Sequence, residues 1–166
     1  MFRRDLSIQG KIVVVKTFLV SQFVYVMQSV GLREHVLQTI NTKLYKFIWQ
    51  RKYSNKRAFE KVKRKVMESD YDEGGLNMAN MLENQKIFYL NWIGKLFNSQ
   101  GRDDNWSSIP ELHIHEVARI DNLPRLNCTR REIKGAGNIK NAFWKEAFLV
   151  FLENTSTQCK RLKVIQ

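Results

Sequence analysis

Apolar residues recur at helical spacing along much of the chain. Residues 11–30, KIVVVKTFLVSQFVYVMQSV, are rich in Val, Ile and Phe, which favour strands, yet no Gly or Pro interrupts them. A strand of that length would reach about 66 Å, so a helix is the better reading. At ~100° per residue, Lys11, Thr17, Ser21, Gln22, Gln28 and Ser29 fall in one polar arc, with Lys16 outside it. The helix predicted from Glu34 to Gln50 is clearer. Its Val36, Leu37, Ile40, Leu44, Phe47 and Ile48 make a single stripe at i, i+3, i+4 spacing, and all six are expected in the core.

Further along, Phe59, Val62 and Val66 are spaced for a short amphipathic helix whose other face is almost entirely Lys and Arg. Asn80 with Glu83 three residues on has capping-box spacing and opens a helix from Met81 to about Phe97, carrying Phe88, Trp92, Ile93 and Leu96. Residues 98–110 read as loop, a short helix follows Pro110, residues 121–138 look irregular, and Ile139 to Asn154 contains an aromatic-rich amphipathic helix. The predicted fold class is mainly α.

Charge changes this picture. Lys and Arg number 28 against 16 acids, a formal net charge of +12, which favours an anionic partner, nucleic acid before a membrane surface. Between residues 43 and 65 ten basic residues face one acid, Glu60. The acidic run ESDYDEGG follows and ends in Gly74 and Gly75, a turn and a break in organisation. No spanning segment is expected, because the longest charge-free stretch, Thr17 to Leu32, falls short of the roughly 20 apolar residues required. No export signal is read at the start either, so the expectation is a soluble, intracellular protein, nuclear or cytoplasmic.

Candidate chemistry is sparse. Cys128 and Cys159 form no CxxC pattern, and His113 and His115 point in different directions on a helix, so no metal site is expected. Asp103 and Asp104 lack the apolar strand flanks of a polymerase turn, and Asp70, Asp72 and Glu73 read as a helix stop with a solvated turn. With no phosphate-binding glycine loop and no nucleophile-base pair, neither catalytic residues nor cofactors are expected. What remains is KLYKFIWQRKYSNKR, residues 43–57, where aromatic and basic residues alternate without an acid. Tyr45 and Trp49 lie one turn apart and off the apolar stripe. Either a later segment covers them, or they meet nucleotide sugars and bases beside the lysines.

The order of these signals resembles the region that follows the palm in reverse transcriptases of non-LTR (LINE-type) retrotransposons. RDLSIQGKIVVVK, the tyrosine in FVY, LYKFIWQRK, DEGGLNMAN and NWIGKL follow one another over about residues 3–97. The positions matched are Leu6, Ser7, Gly10, Lys11 and Lys16; Phe47, Ile48, Trp49 and Lys52; Gly74, Gly75, Leu76 and Met78; and Trp92. Asn80 stands where the family usually has Asp, and Ala79 where it often has Pro. Trp106 before Ile109 and Pro110, and NAFWKEAF, are similar to the family's downstream region.

The resemblance implies a thumb-like helical bundle over residues 1–55, which packs against template-primer duplex in polymerases, and a smaller, mostly helical connection-like region with irregular loops over 56–166. The palm with its metal-binding carboxylates is not seen, so a noncatalytic fragment is expected. The nucleic-acid-binding candidates are Lys11, Lys16, Lys43, Lys46, Trp49, Arg51, Lys52, Lys56, Arg57, Lys61, Lys63 and Arg64. The expected partner is RNA or an RNA-DNA duplex bound through its backbone with low sequence specificity, and the missing fingers and palm are a further partner. The alternatives are a helical structural or protein-interaction domain derived from a retroelement, and the product of a degenerate reading frame.

Overall fold

A computed structural model of the chain describes residues 6–49, 60–98, 106, 108–114 and 138–164. The fold is mainly α, with no strand among the described residues. Two compact units divide the chain, Met1–Gln85 and Lys86–Gln166, with the division inside one helix.

In the first unit the long apolar stretch is one helix, α1, Ile8–Ser29. Ser7 caps it, its hydroxyl accepting the Gly10 N–H at 3.1 Å. Gly31 ends it in the left-handed conformation at φ 74°, donating to the Val26 carbonyl. Between Val15 and Val20 the helix widens into π-helical turns, bonding i→i+5, which lets these two valines, five apart, both be buried. The simple wheel therefore misplaces the solvent face. Val13, Phe18, Tyr25 and Val26 are exposed beside Thr17, Ser21 and Gln22, whereas Lys11 reaches inward. With 22 residues, α1 is long and apolar enough to cross a membrane, a test that core helices of soluble proteins and signal sequences also pass. The helix does not stop at the charge of Lys16 but continues past it and Lys11 to Ile8.

Helix α2, Glu34–Trp49, packs against α1 and starts where predicted. Its buried residues are Leu37, Asn41, Leu44, Tyr45 and Ile48, so the inward face is turned from the apolar stripe toward Asn41 and Tyr45. Phe47, expected in the core, is 39% exposed, and Val36 and Ile40 are half-buried. The next helix, α3, is only Arg64–Glu68. Val62 and Val66 are exposed, and Met67 supplies the buried contact instead. Phe59 lies outside the described residues.

After α3 the chain doubles back. A short 3-10 turn, Tyr71–Glu73, leads into Gly74 at φ 77°, and bonds from Asn77 N–H to Ser69 O (2.9 Å) and from Met78 N–H to Met67 O (2.8 Å) close the loop. Gly75 lies against the Ser69 carbonyl where no Cβ fits. The loop delivers Asn80 to the start of α4, Met81–Asn98. Its Oδ1 accepts the Leu82 N–H at 3.0 Å, the capping role its spacing predicts. Within the unit, Gln85 is nearly buried and exchanges two 2.7 Å bonds with the backbone N–H and C=O of Leu32.

The second unit contains the rest of α4, α5 (Ser108–Ile114) and α6 (Ala142–Val164), and α5 packs against α6. Helix begins at Ser108 and takes in the last three residues of the predicted loop, because Pro110 lies in the first turn, where its missing N–H has no helical partner to lose. Asn141 caps α6, its Oδ1 accepting from Phe143 and Trp144 N–H at 3.0 and 3.2 Å. The core joins Tyr89, Ile93 and Leu96 of α4 to Trp144, Ala147, Phe148 and Leu152 of α6. Edge-to-face aromatic pairs surround it, Tyr89 with Phe143 at 5.2 Å and Trp92 with Trp144 at 6.3 Å. Residues 121–137, read as irregular, fall outside the described residues.

Candidate nucleic-acid interface

The aromatic pair that the sequence sets beside the lysines does not form a stacking surface. Tyr45 is 1% exposed, and its hydroxyl donates to Glu68 Oε1 at 2.7 Å. Burial, reinforced by the Glu68 carboxylate, holds this phenol far above its ordinary pKa. The reading in which a later segment covers Tyr45 is the one the fold adopts, and that segment is α3. Trp49 is half-buried, and its Nε1 is buried with no acceptor among the described residues.

Behind Tyr45 lies a polar network. Glu68 Oε2 accepts from Asn80 Nδ2 at 3.1 Å, Asn80 Oδ1 accepts from Asn41 Nδ2 at 3.1 Å, and Asn41 Oδ1 accepts the Met81 N–H at 3.0 Å. α2, α3 and the start of α4 are thereby tied together through side chains that satisfy one another. Arg64 joins from outside. Its guanidinium sits 4.6 Å over the Tyr45 ring and forks onto Glu60, Nη2 to Oε1 at 2.6 Å and Nε to Oε2 at 3.0 Å. Those bonds hold the Glu60 carboxyl below its usual range and raise the Arg64 guanidinium.

The basic candidates therefore separate into two groups. Lys11 and Arg64 are engaged within the fold, Lys11 donating from Nζ at 3.1 Å to the Ile48 carbonyl of α2 and Arg64 pairing with Glu60. Lys16, Lys43, Lys46, Lys61 and Lys63 are exposed, as is Lys65, which was not among the candidates, and none has an ion pair with a described residue. Arg51, Lys52, Lys56 and Arg57 lie outside the described residues.

On α2, Lys43 and Lys46 share the outward face with Phe47, one turn from Lys43 and next to Lys46 in sequence. Phe47 thus takes the exposed place that the wheel gives to Tyr45 and Trp49. A hint of this lies in the sequence, since Asn41 and Tyr45 are both polar-tipped, one turn apart, and able to bury in partnership. No group of three or more metal-ligating side chains occurs among the described residues, and Asp70, Asp72 and Glu73 are exposed on their turn. Comparison with protein-family models, with curated proteins and with solved structures finds no match to the chain.

Proposed function

We propose that the chain is a noncatalytic nucleic-acid-binding module, a thumb-plus-connection piece of LINE-type reverse-transcriptase ancestry, whose lysines hold the backbone of RNA or an RNA-DNA duplex. One observation carries the reading. Within the most basic stretch, the one acid, Glu60, is occupied by Arg64, while Lys43, Lys46, Lys61, Lys63 and Lys65 stand in solvent without carboxylate partners among the described residues. Such lysines neutralise phosphates without reading bases, which gives affinity with little sequence choice.

If about five phosphates are neutralised, log affinity falls against log salt with a slope near −4. A salt series on one short RNA-DNA duplex in a filter-binding assay measures it, and affinity that stays constant across the series overturns the reading. The competing role, a helical protein-interaction domain, is favoured by the exposed Phe18, Tyr25 and Val26 of α1, and sedimentation that shows self-association without nucleic-acid binding would support it.

A further inference from the structure

We propose that Phe47 is a stacking platform for an unpaired base, so that the preferred ligand is a nucleic-acid strand with unstacked bases, such as a single strand or a duplex with an overhang, rather than a fully paired duplex. The proposal rests on the nucleic-acid reading and narrows it. Phe47 lies within an apolar stripe yet is 39% exposed, because α2 turns Asn41 and Tyr45 inward to meet α4 and α3. Exposed Lys43 stands one turn before it, and exposed Lys46 immediately precedes it.

A ring flanked by two cations without carboxylate partners among the described residues is a poor match to an apolar protein face, which would have to desolvate both lysines. It is a good match to a nucleotide, whose base offers a flat apolar face and whose phosphate offers the opposite charge within reach of a lysine. A blunt duplex presents only its phosphates to the same face. It can be held by Lys43 and Lys46 but gains nothing from the ring.

The test is fluorescence anisotropy with a labelled 12-nucleotide RNA strand and the blunt duplex of the same sequence. Wild type is compared with Phe47→Leu, Phe47→Tyr and the double variant Lys43→Glu/Lys46→Glu, and thermal melts confirm that each is folded. Phe47→Leu should weaken strand binding about tenfold, within the range that one stacked base contributes, and leave duplex binding and its salt slope unchanged. Phe47→Tyr, which keeps a ring, should bind the strand like wild type, while the lysine variant should weaken both ligands.

If Phe47→Leu binds the strand as wild type does while the lysine variant loses it, the stacking proposal falls and the basic-surface reading stands. If no variant changes affinity for either ligand, or wild type binds neither, both fall. If Phe47→Leu instead converts a dimeric wild type to a monomer in sedimentation, the ring is a self-contact and the proposal is overturned.

Discussion

At Gly75 the backbone of the returning loop meets the Ser69 carbonyl so closely that an added Cβ would fall on the carbonyl oxygen and carbon. The neighbouring Gly74 differs. It is left-handed at φ 77° with open space around it, so a side chain there meets strain rather than collision. Gly74→Ala is expected to cost about 1 kcal/mol, and Gly75→Ala about 1–3 kcal/mol or more, since the loop must open to admit the methyl. Chemical denaturation of the two variants gives the order, and equal losses would show that the close approach is not limiting. Tyr89 carries a second residue-scale consequence. Burial, with Glu146 adding to it, pushes its phenol up to about 12. Below pH ~10 the phenol is protonated in both states and contributes no pH dependence. Between there and about 12 the unfolded chain releases a proton that the folded chain keeps, so stability falls by about 1.4 kcal/mol per pH unit from this group. Denaturation midpoints measured from pH 9 to 11 should decline less steeply in Tyr89→Phe than in wild type.

Among the elements, the start of α4 depends most on partners distant in sequence. Two of its leading N–H groups are met by side chains, Met81 by Asn41 and Leu82 by Asn80. An acid at the capping position would serve the helix equally well. Asparagine serves the network better, because its Nδ2 donates to Glu68 while its Oδ1 caps. Asn80→Asp would keep the cap but set a second carboxylate about where Nδ2 stands, 3.1 Å from Glu68 Oε2. The expected loss at pH 7 is about 1–3 kcal/mol relative to wild type, shrinking near pH 4, where one proton can be shared between the two acids. Melts of both proteins at the two pH values check this, and a deficit independent of pH would mean that charge repulsion is not its source.

For the whole molecule, the net charge of +12 decides which contacts form at long range, while the buried elements decide whether there is a folded surface to make them. Lys61 and Lys63 separate the two roles, since both are exposed and neither has an ion pair with a described residue. The double reversal Lys61→Glu/Lys63→Glu should leave the melting temperature nearly unchanged and weaken nucleic-acid binding, with a shallower salt slope. If the reversal unfolds the protein while the folded fraction keeps its affinity, the basic face is structural and the binding reading loses its main support.

Most helical segments, and how several of them begin, were legible in the residue pattern alone. Asn80 sits at the cap of α4 as its spacing predicts, the helix from Glu34 starts in place, and the acidic run before Gly74 is a solvated turn. These features are local, because a cap or a turn is settled by residues within a few positions of one another. Which face of each helix is buried was decided only by the tertiary structure. Phe47 turns outward although it lies in the apolar stripe, because Asn41 and Tyr45 find partners at Met81, Asn80 and Glu68 that no window of neighbouring residues contains. Val62 and Val66 lose the interior to Met67 because α3 is only five residues long, and the π-helical turns of α1 shift its face by a rotation that an ideal wheel does not include. The same separation holds for the candidate site. The positive charge was legible in the composition, but whether a lysine stands in solvent like Lys43 or bonds a neighbouring helix like Lys11 depends on carbonyls and carboxylates brought in from elsewhere in the chain.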